Sequence, residues 1–169
     1  AKNINVGDTA IFYIELNPDA TGIVLINIDG KFNSSNLIGG TAKIAINGLA
    51  SGIKVATINY IGDAKYSSKN GSCSISVNKL DAPISVNVDD IDYGVPVDLE
   101  IILPDGASGT VKLTLGENTL TESLVNSKAS FVIRDLNVGE YNFNVVYEGD
   151  GKFKDNSTIH KFKVNKADA

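Results

Sequence analysis

The stretch Tyr60-Ile61-Gly62-Asp63-Ala64-Lys65-Tyr66 returns 87 residues later as Tyr147-Glu148-Gly149-Asp150-Gly151-Lys152-Phe153. Working outward from it at that offset, the two halves of the chain align without a gap. Upstream, Gly7 falls on Gly94, Gly22 on Gly109, Leu49 on Leu136 and Gly52 on Gly139; downstream, Val77-Asn78-Lys79 falls on Val164-Asn165-Lys166. Only about a quarter of positions are identical, but the matches concentrate on glycines and on alternate apolar residues, as expected of one fold written twice.

Within each copy the apolar residues recur with period two, the mark of strands with one face buried and one in water, and helical spacing is absent. Val97, Leu99, Ile101 and Leu103 form one inward row, answered in the first copy by Ala10, Phe12, Ile14 and Leu16. Val111, Leu113 and Leu115 answer to Val24, Ile26 and Ile28; Ala129, Phe131 and Ile133 to Ala42, Ile44 and Ile46; Phe143, Val145 and Tyr147 to Ala56, Ile58 and Tyr60; Phe162 and Val164 to Ile75 and Val77. Turn signals such as Asn17-Pro18-Asp19, Pro104-Asp105-Gly106 and Asn47-Gly48 separate the rows. Short strands so spaced predict an all-β chain built as antiparallel sandwiches. The linker Leu80-Asp81-Ala82-Pro83 leads into a strand over Ile84 to Val88 whose counterpart in the first copy falls before Ala1, so the first copy is expected to lack its opening strand. The tail Asn165 to Ala169 reads as the start of a further copy.

A Tyr-bearing strand ending in Gly-Asp, then Lys-Tyr or Lys-Phe, then a strand closing in Val-Asn-Lys resembles the bacterial Ig-like domain family, group three. With its Val-Asn-Lys-Ala boundary, it is most similar to the tandem repeats of adhesin-like surface proteins of methanogenic archaea. The resemblance implies two tandem immunoglobulin-like antiparallel β-sandwiches, over 1–79 and 80–169, from the extracellular part of a cell-surface protein. It supplies no catalytic or binding residues, since the family shares none, and Tyr60, Gly62, Asp63, Lys65, Tyr147, Gly149, Asp150 and Lys152 are read as a structural motif.

Composition narrows the chemistry. A net charge of −5 with lysines scattered singly argues against nucleic acid. No apolar run approaches the roughly 20 residues of a membrane helix. With one histidine, His160, and one cysteine, Cys73, falling on the same place in the two copies, no disulfide within the chain, histidine dyad or histidine metal cluster can be assembled. Both read as rim positions on the inward phase of a last strand, no enzyme activity is expected, and no cofactor.

The remaining candidates each have a plainer reading beside them. Asp81, Asp89, Asp90 and Asp92 cluster at the linker, where carboxylates can hold calcium, but their spacing matches no calcium loop and a solvated charge run is the reading carried forward. Asp63 and Asp150 follow a glycine in a turn and are expected to cap local backbone N–H groups, with Lys65 and Lys152 beside them as ion-pair partners. No inward row places a buried lysine beside an acid, as a covalent Lys–Asn or Lys–Asp crosslink would require. Asn33, Asn70 and Asn156 head Asn-x-Ser/Thr sequons in expected loops or strand edges. Tyr13, Tyr93 and Tyr141 are expected on outward strand positions.

The function these readings support is a stalk: repeated sandwiches that hold a distal adhesive region away from the cell envelope. The competing reading is that the modules themselves bind a host or microbial surface protein or glycan, through the regions Lys31 to Gly39 and Asn118 to Lys128, read as loops because the copies diverge there.

Overall fold

Each alternating segment becomes a strand. The structure, a computed structural model, describes residues 2–169. The chain divides into two compact units, Ala1–Lys79 and Leu80–Ala169. The first holds β1 (Ile4–Asn5), β2 (Ala10–Glu15), β3 (Ile23–Ile28), β4 (Lys31–Asn36), β5 (Thr41–Ile46), β6 (Gly52–Tyr60) and β7 (Lys69–Asn78). The second holds β8 (Ser85–Asn87), β9 (Ile91–Asp92), β10 (Val97–Ile102), β11 (Thr110–Leu115), β12 (Asn118–Ser123), β13 (Lys128–Ile133), β14 (Gly139–Tyr147) and β15 (Asn156–Asn165). No helix among the described residues is long and apolar enough to cross a membrane.

In the first unit a five-stranded sheet, β1-β7-β6-β3-β4, faces the pair β2-β5; in the second, β12-β11-β14-β15-β9 faces β13-β10-β8. The inward rows of both layers merge into one core per unit. Phe12 and Ile44 pack with Val24, Ile26 and Tyr60 in the first, and Leu99 and Phe131 with Leu113, Phe143 and Tyr147 in the second. Burying a full leucine, isoleucine or phenylalanine contributes about 1.5–3 kcal/mol, so these rows are the main source of stability in a chain with a single free cysteine.

Two features depart from the sequence reading. The regions Lys31 to Gly39 and Asn118 to Lys128 are largely strand: β4 pairs with β3 and β12 with β11, each at the edge of its five-stranded sheet. Both faces of these strands are mostly solvated, so no apolar alternation announced them. The sandwiches are also not wholly antiparallel, because β1 runs parallel to β7 and β9 parallel to β15. The strand expected over Ile84 to Val88 is the shorter β8, paired with β10. Among the described residues the first unit has no counterpart of β8.

Tyr141, on the inward phase of β14, stacks on Phe162 at 5.4 Å and donates its hydroxyl to the carbonyl of Asn137 at 2.7 Å. This backward bond at the start of the strand is the tyrosine-corner arrangement of immunoglobulin sandwiches. The first unit has Lys54 there, and its ammonium reaches Asp29 at 3.1 Å. The Lys54 side chain is only 17% exposed beside Asp29, so the inward row of β6 does hold a largely buried lysine next to an acid, contrary to the sequence expectation; Asp29 itself lies in the β3–β4 turn.

The repeated glycines differ in what they tolerate. Gly94 has φ +91° and open space where a Cβ would stand, whereas at Gly149, φ +80°, a Cβ would lie 2.8 Å from the Asp155 nitrogen and 2.9 Å from the Phe153 oxygen. Gly94→Ala is expected to cost about 1 kcal/mol from left-handed strain alone, and Gly149→Ala about 3 kcal/mol because backbone must also move. Urea unfolding midpoints at constant slope measure both, and equal losses would contradict the assignment.

Candidate functional site

The motif that reveals the repeat closes each sandwich at one end. Asp63 lies in the turn after β6, and its Oδ1 accepts from the backbone N–H groups of Lys65 and Tyr66 at 2.8 and 2.6 Å. Its Oδ2 accepts from the N–H and hydroxyl of Thr21, just before β3, at 2.8 and 3.1 Å. The carbonyl of Thr21 is held as well, by the Tyr60 hydroxyl at 2.8 Å. The second unit repeats every contact: Asp150 accepts from Lys152, Phe153 and Ser108, and Tyr147 donates to the Ser108 carbonyl at 2.7 Å. The local capping expected of these aspartates is therefore half of what they do; the other half ties two turns about 40 residues apart in sequence.

These bonds set the ionisation of the groups. Hydrogen bonds from Thr21 and Tyr66 hold the Asp63 carboxyl well below the usual carboxylate range. At Asp150, burial pushes the carboxyl up, but bonds from Phe153, Ser108 and Lys152 outweigh it and bring it down to about 2. Burial, reinforced by the Asp150 charge, pushes the Tyr147 hydroxyl up to about 12. A hydroxyl so held stays a donor, and a carboxylate so satisfied is not a proton shuttle.

The neighbouring lysines do not pair with these aspartates. Lys65 pairs instead with Asp19, which also accepts from the Tyr66 hydroxyl at 2.6 Å. The place of Asp19 in the second unit is taken by Gly106, and Lys152 lies over the Phe153 ring at 5.4 Å. The ion pair is a property of one copy, while the lysine lying over the aromatic ring is common to both, at 5.2 Å for Lys65 and Tyr66.

The linker carboxylates are dispersed. Asp81 pairs with Lys154 at 3.1 Å, and Asp90 Oδ1 accepts the Lys163 N–H at 2.8 Å, as Asn3 does from Ser76 in the first unit at 3.0 Å. Asp92 lies in β9, and Asp89 lines a shallow open groove with Asp98 and Glu100 over the outer face of β8, β10 and β13. No group of three or more His, Cys, Asp or Glu side chains among the described residues is arranged to hold a metal.

Asn33, Asn70 and Asn156 are exposed, all within strands rather than loops. The side-chain amide of Asn33 donates to the Ala45 carbonyl at 3.0 Å and that of Asn156 to Ala82 at 2.9 Å, while Asn70 sits on β7 opposite Asn59. Of the three tyrosines expected outside, Tyr13 and Tyr93 are exposed, whereas Tyr141 is drawn onto the core. Cys73 and His160 are both half-buried mid-strand, and His160 stacks on Phe143 at 6.1 Å.

The outward faces of the two five-stranded sheets were not singled out by sequence patterning, and there the copies part company. In the first unit Ile23, Leu25, Phe32, Ile53, Val55 and Ile61 are exposed. At the 87-residue offset the second unit has Thr110, Lys112, Thr119, Glu140, Asn142 and Glu148. Comparing the two copies position by position on this face is the signal that would have found it.

No protein-family model matches the chain, and no curated protein matches it. Among solved structures it is similar to an amphioxus IgVJ-C2 molecule, at 13% identity and TM-score 0.50, covering 97% of this chain and 100% of that one. It is also similar to the titin domains z1z2 in complex with telethonin, at 15% identity and TM-score 0.49, covering 99% and 93%. Fibronectin(III)-like modules of Clostridium thermocellum CbhA align at 11% identity and TM-score 0.37, covering 98% and 89%. The class of the protein follows from its sheets, its tyrosine corner and the first of these likenesses: an all-β chain of immunoglobulin-like fold.

The Asp150 carboxyl takes up its proton near the ordinary 3.8 in the unfolded chain and only at about 2 in the folded unit. Across that interval the unfolded chain binds more protons, so stability rises with pH there, is complete above about pH 5 and is lost as pH drops towards about 2. Asp150→Asn should be less stable than wild type at neutral pH yet lose less melting temperature between about pH 5 and pH 2. Parallel acid profiles of variant and wild type would contradict this.

Proposed function

We propose that the chain is two tandem immunoglobulin-like modules, 1–79 and 80–169, of the group-three bacterial kind. They act without catalysis as a force-bearing spacer in an adhesin-like archaeal protein, outside the cell and joined to neighbouring repeats. The observation that carries this reading is the parallel pairing of a two-residue strand near the start of each unit, β1 or β9, with that unit's last strand. Ile4 pairs with Val77 and Asn5 with Asn78, while Ile91 pairs with Val164 and Asp92 with Asn165. One further bond extends each patch, from the Val6 N–H to Asn78 and from the Tyr93 N–H to Asn165, both at 2.8 Å. Tension between the ends of a unit draws two such strands in opposite directions along their length. The bonds between them are then loaded in shear and fail together, which suits a module whose task is to stay folded under pull. The Asn33 and Asn156 sequons, which pair with inward positions of β3 and β14 and so lie off the outward sheet face, fit glycosylation at a cell surface, and intact mass of the native protein reads it directly.

Single-molecule pulling tests the mechanical reading. Two unfolding steps are expected, releasing about 280 Å and about 315 Å of chain from units of 79 and 90 residues at about 3.5 Å per residue, less each unit's folded length. Tyr93→Pro, which removes one donor of the clamp, should lower the force of one step and leave the other unchanged. A single step, or two forces indifferent to Tyr93→Pro, would contradict the proposal.

A further inference from the structure

The outward positions of β3, β4, β6 and β7 carry no charge. They are Ile23, Leu25 and Asn27; Phe32, Ser34 and Asn36; Ile53, Val55, Thr57 and Asn59; and Asn70, Ser72, Ser74 and Ser76, in the register of the strand pairs. Of the apolar side chains on it, Phe32 is 76%, Ile53 77% and Val55 58% exposed, and Ile23 and Leu25 38% and 44%. Scattered single apolar residues on a surface mean nothing, but a contiguous uncharged sheet face is a recognition surface.

The second unit supplies an internal control, because the same sheet there is a largely charged version, with Ile159 the one large apolar side chain strongly exposed on it. Its outward positions include Lys112, Glu140, Lys161 and Lys163, with Glu148 just beyond β14. Lys112 pairs with Glu148 at 2.7 Å and Lys163 with Glu140 at 3.4 Å. The fold therefore accepts charge on this face, and the first unit departs from it at every large apolar position. Neither core packing nor the turn-closing carboxylate requires those residues, since both units build these alike.

We infer that the outward face of the first unit's five-stranded sheet is a self-association surface whose partner is the same face of a second copy of this chain. Charge selects that occupant. A two-fold contact sets each residue against its own kind or a neighbour, which penalises a charged face by repulsion and desolvation and leaves an uncharged face of Ile, Leu, Val, Phe, Ser, Thr and Asn self-complementary. Two such sheets stack face to face about 10 Å apart, as the layers inside each sandwich do.

Area sets the strength. Strands about 20 Å long, four abreast at about 4.8 Å spacing, give a plan of about 400 Å² on each copy. Even with side-chain relief this lies at the small end of specific interfaces. The association is accordingly weak and reversible, with a dissociation constant on the order of 10–100 µM, suited to a surface presenting many copies side by side.

Sedimentation velocity on the whole chain in 150 mM salt, from about 5 µM to about 1 mM, tests this across the expected range. A concentration-dependent dimer is expected, and it should hold or tighten in sodium sulfate because no ion pair contributes. The triple variant Leu25→Lys, Ile53→Glu, Val55→Asn takes the second unit's own residues at these places, and it should weaken the dimer at least tenfold. Phe32→Thr alone, also the second unit's residue, should weaken it measurably while keeping the wild-type unfolding midpoint, so a folding defect in the triple variant does not leave the question open. A chain that stays monomeric to about 1 mM overturns the inference. So does a dimer that these variants leave intact, or one that Ile159→Lys on the second unit's face disrupts instead.

Discussion

Everything about each sandwich leads back to one backbone residue gripped from both sides. Thr21, and in the second unit Ser108, donates its N–H to an aspartate and accepts a tyrosine hydroxyl at its carbonyl. The aspartate comes from the turn after the long strand of the five-stranded sheet, and the tyrosine ends that strand with its ring in the core. One residue is thus tied to the hydrophobic interior and to a distant turn at once. The grip works because Gly22 and Gly62, with Gly109 and Gly149, let the backbones come close; a Cβ on Gly22 would stand 3.1 Å from the Gly62 oxygen. A part-buried polar set of this kind stabilises most when every member is satisfied. Here all are, which accounts for the recurrence of Tyr, Gly and Asp in both copies when most other positions differ.

The rest of each unit hangs on that closed end. Inward rows fill the core, edge strands β4 and β12 cap one side of the larger sheet, and the short parallel strands β1 and β9 fasten the other. Two residues of parallel pairing contribute little free energy, but their placement between the start of each unit and its last strand gives them leverage under load. Where the units differ, they differ on surfaces: in the ion pair of Lys65, in the exchange of Tyr141 for Lys54, and above all on the outward sheet face. One scaffold with two different skins is what duplication followed by separate use of each copy would leave.

Much of this was legible in the sequence, for definite reasons. Core strands announce themselves by alternation, because one face must be apolar, and the glycines announce turns because their φ excludes other residues. The edge strands were read as loops, since Lys31–Asn36 and Asn118–Ser123 have no buried face to impose a pattern. The parallel strands were too short to see. Pairing of Lys65 with Asp63 was a guess from proximity in sequence; the carboxylate was already saturated by backbone donors, and Asp19 from another turn was within reach. The apolar face of the first unit was present in the alignment of the two copies all along, but alternation draws the eye to the inward phase and away from the residues between.

If the two halves are each self-sufficient, residues 80–169 expressed alone fold as they do in the whole chain, and urea unfolding of the fragment beside the whole chain tests this directly. A single cooperative transition is predicted, at a midpoint matching one of the transitions of the parent. A fragment that is unfolded, or that melts without cooperativity, would contradict the claim, because the core, the closed end and the clamp of that half would then depend on the other.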